Sequence, residues 1–217
     1  SYLFLRNISP EYQANVGFVV KNNRRWLTLY HEYQNFFNKK GLQFFNLGTK
    51  ADINYTFDNN LKNISLDGIF SIKTYFNTEL SYTYDWDIFK NYLGVNYKYL
   101  GKSELNFKTS PNELFSLTLR MIFGKDLAYN EQIPEVGKEF TLYAMPMLQL
   151  GNKVNVSPSI RYARLKNLKN NLDYFYGYIS RFSVRYQFNN FLNIRLVSEY
   201  NAFTERFFVQ PLIQWNP

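Results

Sequence analysis

The chain has 217 residues, no cysteine and a formal charge of +8, so it builds neither a disulfide framework nor a thiolate metal site. Its Lys and Arg residues are spread along the sequence without a long basic run, which argues against nucleic acid as a partner. No stretch reaches the roughly 18 consecutive apolar residues of a membrane helix, yet 19 Tyr and 21 Phe raise the aromatic content to 20%, a usage that suits strands and membrane interfaces.

The first clear two-faced segment is Phe45–Phe57. Phe45, Leu47, Ala51, Ile53, Tyr55 and Phe57 alternate with Asn46, Gly48, Lys50, Asp52, Asn54 and Thr56. Side chains of a strand alternate across the sheet, so this is a strand with a different environment on each side. Asp58-Asn59-Asn60 reads as a turn. Leu66, Phe70, Ile72 and Phe76 oppose Asp67, Ser71 and Lys73; Leu80, Tyr82, Tyr84 and Trp86 oppose Ser81, Thr83 and Asp85. Two strands are expected over Ile64–Tyr84, although almost no turn signal separates them. Leu93, Val95, Tyr97 and Tyr99 alternate with Gly94, Asn96 and Lys98, and a turn is expected at Ser110-Pro111-Asn112.

Phe115–Phe123 alternates with Ser116, Thr118 and Arg120, and Phe140–Leu150 is strand-like. After the turn Gly151-Asn152-Lys153, Val154, Val156, Pro158, Ile160 and Tyr162 face Asn155, Ser157, Ser159 and Arg161 on the other side. Another long alternation is Tyr176–Phe188, with Tyr178, Phe182, Val184 and Tyr186 on one face and Arg181, Ser183, Arg185 and Gln187 on the other. Asn189-Asn190 reads as a hairpin turn, followed by Leu192, Ile194, Leu196 and Tyr200 against Asn193, Arg195 and Glu199, and a last run over Phe207–Trp215. Pro146, Pro158 and Pro211 sit within strand-like runs and require bulges or strand ends.

These runs amount to about 12–13 strand candidates joined by short turns, with no amphipathic helix. A meander of this kind must close or roll into a sandwich. The charge and Asn content of one face, the Tyr and Phe of the other, and runs longer than the roughly 9–11 residues needed to cross a bilayer select the inverted arrangement. The expectation is an all-β, transmembrane, up-and-down antiparallel β-barrel of about 12–14 strands, apolar outside and polar inside, in the outer membrane of a Gram-negative cell. Residues 1–217 read as a single barrel domain, incomplete in this chain. Outer loops are expected to be missing near Asn77, Gly101–Ser103 and Asn170–Asp173.

Two segments carry a family echo. Pro10-Glu11-Tyr12-Gln13-Ala14-Asn15-Val16-Gly17-Phe18-Val19, with Arg24-Arg25 after it, and Glu205–Asn216, with Phe207-Phe208-Val209-Gln210-Pro211 and Gln214-Trp215-Asn216, resemble the opening and near-terminal barrel segments of a family of Gram-negative outer-membrane proteins. That family carries a family-9-like carbohydrate-binding module ahead of a barrel of unassigned function. The resemblance implies saccharides and other outer-membrane proteins as partners, beside membrane lipid.

Chemistry-bearing candidates are few. His31, next to Glu32, is the sole histidine, and no local motif supplies it with a nucleophile, so no catalytic residue is assigned and the chain is not expected to be an enzyme. Asp85 and Asp87 flank Trp86 and read as solvated or salt-bridged carboxylates rather than calcium ligands; no metal or cofactor is expected. The polar face is the candidate site: Arg120, Arg161, Arg181, Arg185 and Arg195 with Glu199 form a basic ladder, joined by Lys50, Lys73, Lys98, Lys108, Asp52, Asp67 and Asp85. Such a lumen favours anions. The expected function is a pore or transport-type barrel, linked through the resemblance to saccharide uptake. The alternative is a non-conducting anchor or scaffold subunit of a larger outer-membrane complex.

Overall fold

A computed structural model describes residues 1–12, 23–37, 41–75, 77–129 and 131–215. Twelve strands follow one another: β1 (Tyr2–Ile8), β2 (Arg24–Phe36), β3 (Leu42–Tyr55), β4 (Leu61–Thr74), β5 (Thr78–Tyr92), β6 (Val95–Asn112), β7 (Phe115–Leu127), β8 (Val136–Leu150), β9 (Val154–Asn167), β10 (Asp173–Gln187), β11 (Leu192–Asn201) and β12 (Arg206–Trp215). Each pairs antiparallel with its sequence neighbours in a single sheet ordered β1 to β12. Among the described residues there is no helix.

The sheet is not closed: β1 pairs with β2 alone and β12 with β11 alone. Turns fix the register of consecutive strands, whereas no turn dictates that a first strand meet a last one, so the alternation that specifies the meander does not specify its closure. All ten residues of β12 are exposed.

Connections differ between the two ends. At one end, here the loop end, they are residues 9–23, 56–60, 93–94, 128–135, 168–172 and 202–205; at the turn end they are 37–41, 75–77, 113–114, 151–153 and 188–191. Asparagine makes many of them. Asn59, Asn77 and Asn171 adopt positive φ, and the Oδ1 atoms of Asn112, Asn167, Asn189 and Asn201 accept hydrogen bonds from backbone N–H groups two or three residues on, the Asx geometry that nucleates a turn.

Several expectations are corrected. The turn placed at Ser110-Pro111-Asn112 falls at 113–114; β6 runs on through a register shift between Thr109 and Asn112 that accommodates Pro111. Of the places where missing loops were expected, Asn77 has φ 48°, residues 101–103 run within β6, and 168–172 is closed by Asn167 N–H donating to the Leu172 carbonyl at 2.7 Å. Pro158 needs no bulge. Between Ala144↔Ile160 and Leu148↔Val156 the β8–β9 ladder has no paired residues, and its unchanged register sets Pro146 opposite Pro158. Two residues without an N–H thus share one gap in the ladder. Pro211 lies mid-way along β12 at neither a bulge nor a strand end, and is accommodated because β12 is an edge strand.

Burial inverts the pattern of a water-soluble sheet. On β3, Asn46 is 8% exposed and Leu47 55%; on β2, Thr28 is 6% exposed and Leu29 53%; on β4, Asp67 is 9% exposed and Leu66 40%. The apolar face is the uncovered one, and Phe70, Tyr82, Phe140, Phe182 and Tyr186 extend it across the sheet.

A small apolar cluster interrupts the polar face at the loop end. Tyr97, Leu100 and Leu127 pack together, and the Tyr97 hydroxyl donates to the Pro134 carbonyl at 2.5 Å, tying down loop 128–135. Tyr99 causes this departure from strict alternation. Its φ of 57° breaks the two-residue period, so Tyr97 and Leu100 join one cluster while the Tyr99 ring lies 6.3 Å from Trp86. Lys98, expected beside the polar-face lysines, alternates away from Tyr97.

Candidate functional site on the polar face

Register decides which polar side chains meet. Arg181 lies opposite Glu199, and Arg185 opposite Arg195, across β10–β11. On the other flank, Arg181 faces Ser159, and Arg161 faces Ile179. The three arginines Arg181, Arg185 and Arg195 therefore share one patch, with Arg161 on the adjoining strand. Arg120 is set apart: it lies on β7, and Tyr143 of β8 is opposite both Arg120 and Arg161. Its guanidinium donates to Glu104 at 2.7 Å, and Glu104 also accepts from Asn106.

Counter-charge is scarce on the β9–β11 side. Arg181 Nη1 is 3.8 Å from Glu199 Oε2, while Arg161, Arg185 and Arg195 have no hydrogen bond or ion pair among the described residues. Two like charges directly opposite in a ladder repel; Arg185 is exposed and Arg195 half-buried. Val197, between Arg195 and Glu199 on the same face of β11 and opposite Ser183, is 3% exposed.

A second cluster, not singled out by the sequence, occupies β3 to β8 near the loop end. Lys50, Asp67, Asp85 and Lys102 follow one another directly across β3, β4, β5 and β6. Lys50 pairs with both Asp52 and Asp67, Lys90 with Asp87 at 3.0 Å, and Lys102 with Asp126 at 3.0 Å and Glu139 at 4.0 Å. Asp67, Asp85, Asp87 and Asp126 with Lys50, Lys90, Lys102 and Lys125 line a polar cleft of about 270 Å³, and Asp52 and Glu139 reach it only through their pairs with Lys50 and Lys102. Asp52, Asp67, Asp85, Asp87, Asp126 and Glu139 outnumber Lys50, Lys90, Lys102 and Lys125, so this side is acidic. Buried Asp67 Oδ1 and Glu139 Oε2 lack hydrogen-bond partners. The basic excess anticipated for the whole face is thus interrupted along β3–β8. Asp52, Asp67 and Asp85 were visible in the alternation; their assembly with Asp126 and Glu139 was not, because it depends on which strands lie side by side.

The remaining candidates resolve simply. His31 Nδ1 lies 2.5 Å from Ser1 Oγ. Glu32, its sequence neighbour, is on the other face, where it accepts from Tyr30 Oη at 2.5 Å, so the two do not form a Ser-His-carboxylate line. Asp87 is engaged by Lys90, and no group of three or more His, Asp or Glu among the described residues gathers to hold a metal ion. Of the two segments that carried the family echo, Glu205–Asn216 forms the turn into β12 and most of that strand, whereas 13–20 and residue 216 lie outside the described residues. Comparison of the chain with protein families, with curated proteins and with solved structures finds no match.

Proposed function

We propose that this sheet is the wall of a transmembrane β-barrel in a Gram-negative outer membrane, with its apolar face against lipid and its polar face lining an aqueous path that favours anions along β9–β11. The observation that carries this reading is the inverted burial: leucines, phenylalanines and tyrosines stand exposed on one face while Thr28, Asn46 and Asp67 are covered on the other. In water such a face forfeits on the order of tens of kcal/mol summed over its side chains, and soluble monomers rarely expose a continuous apolar patch of that extent. Lipid removes the penalty. Dimensions agree: a 13-residue strand such as β2 is about 43 Å long, and tilted by roughly 40° it rises about 33 Å, matching a hydrocarbon core of about 30 Å. Longer connections at one end and short turns at the other suit an outer-membrane orientation.

Reconstitution into planar bilayers under a salt gradient tests the reading. The expected result is a current whose reversal potential shows anion preference, moved toward zero by the triple replacement of Arg181, Arg185 and Arg195 with Ser. Cation preference, or a triple variant indistinguishable from the parent, refutes the basic path. A second reading has its own observation in favour. The ion pairs of Lys50 and Lys102 and the tethered loop 128–135 fill part of the polar face, as suits a non-conducting scaffold. Membrane insertion without current at any voltage selects it.

A further inference from the structure

We infer that the outward face at the loop end of β8 and β9 binds a phosphorylated lipid headgroup through Lys138, Lys166 and Arg164; this rests on the membrane reading proposed above. Lys138 and Lys166 are directly opposite in the β8–β9 ladder, which brings their Cβ atoms within about 5.5 Å. Like charges so placed repel, and neither lysine has a hydrogen bond or an ion pair within 4 Å among the described residues. One row nearer mid-strand Arg164 faces Phe140 on β8 and Tyr176 on β10. Its Nε and Nη2 donate to Asp173 at 2.7 and 3.1 Å. Lys125 of β7 lies opposite Lys138, and Asp173 of β10 opposite Lys166, so four cations against one carboxylate leave a local surplus that a phosphate monoester dianion neutralises.

The surroundings grade as a lipid molecule does. Beneath the lysine row come Arg164 and Phe140, then Tyr162, whose ring is 6.1 Å from that of Phe140. Below these the face continues with Leu142, Ala144 and Ile160 and holds no charge. Tyr162, Arg164, Tyr176 and Tyr178 also line an open groove of about 970 Å³. A charged rim, an amphipathic aromatic tier and an apolar field correspond to phosphate, interface and acyl chain. The lysine stems reach up to the phosphate level while their methylenes stay in the apolar tier. A soluble anion gains nothing from the lower two tiers, which selects the lipid over free phosphate.

The test uses the full chain inserted in phosphatidylcholine vesicles doped with phosphatidic acid, with retained lipid read by native mass spectrometry after extraction. Phosphatidic acid is expected to be enriched over phosphatidylcholine. The double variant Lys138→Gln, Lys166→Gln should weaken that retention about thirtyfold, from about 1 kcal/mol per cation near a membrane surface. Because this variant removes a repulsion, it is expected to fold; Lys138→Arg, Lys166→Arg should keep the selectivity and guards against a folding artefact. Equal retention by the parent and the Gln variant overturns the inference. So does displacement of the lipid by inorganic phosphate at matched concentration, which would make the site one for a free anion. Failure to insert into plain phosphatidylcholine overturns the membrane reading and this inference with it, whereas insertion without selectivity overturns this inference alone.

Discussion

Gly124→Ala is the substitution that bears hardest on the sheet. Gly124 sits at φ +149°, a region that costs a side-chain-bearing residue about 1–3 kcal/mol. Space is as restrictive as conformation: a Cβ there would lie 2.3 Å from the Gly101 carbonyl oxygen and 2.5 Å from Lys102 Cα. Both obstacles are backbone, so β6 and β7 must separate where their ladder ends at Lys102↔Gly124. Losing one ladder hydrogen bond adds about 1 kcal/mol, and the shift drags Lys102 from Asp126 and Glu139. The expected total is about 3–5 kcal/mol, read as a lowered urea midpoint by tryptophan fluorescence in detergent micelles. Gly68→Ala is the matched control, since a Cβ at Gly68 meets nothing within 4 Å, and it should fall within about 0.5 kcal/mol of the parent. A Gly124→Ala variant within about 1 kcal/mol of that control refutes the reasoning.

Two other outcomes follow from the connections. Leu93 and Gly94 both have positive φ, 51° and 82°, the mark of a type I′ hairpin turn that favours Asn at its first central position; because Leu93 is exposed, Leu93→Asn should raise the same urea midpoint, by about 1 kcal/mol of stability, and a fall would refute the assignment. In the loop before β8, the Tyr174 hydroxyl, the Lys169 ammonium and the Asn167 amide hold the Glu135 carboxyl below the usual carboxylate range. A folded value below the unfolded one stabilises fully above about pH 4.3 and is lost as pH falls through the folded value. Hydrogen exchange of the Ala128 amide, which donates to Glu135 O, should therefore be flat from neutral pH down to about 5, after correction for the intrinsic rate, and rise only in stronger acid; Glu135→Gln should abolish that rise.

The meander was legible because alternation has a period of two and turns are punctuated by Asn and Gly. Phe45–Phe57 and Tyr176–Phe188 reappear as β3 and β10 with ends shifted by a few residues. Weak turn signals hid the β4–β5 turn, where Asn77 in a left-handed conformation does the work of a longer loop. Local backbone irregularity was invisible: nothing marks Tyr99 as a residue that adopts φ 57°, yet that one dihedral turns Tyr97 inward and Lys98 away. The two prolines misled for a related reason. Each alone disrupts a ladder, and only register shows that Pro146 and Pro158 share one gap.

Charge composition gave one average for a face that register divides in two. Arg181, Arg185, Arg195 and Glu199 lie within one hairpin, so local sequence sufficed to bring them together. Lys50, Asp67, Asp85, Lys102 and Glu139 come from five strands, and their neighbourhood follows from four successive hairpin registers and the chain's return through β8. A single-residue slip in any of these would turn one member of the row to the apolar face. The acidic cluster is therefore the more sensitive reporter of correct assembly, and the arginine patch the more robust one. On the proposed reading, an anion would be drawn along β9–β11 and turned away by the carboxylates of β3–β8, so its path would keep to one side of the polar face. Selectivity should consequently respond to Arg185 and Arg195, which carry no counter-ion, more than to Arg120, whose charge Glu104 already offsets at 2.7 Å.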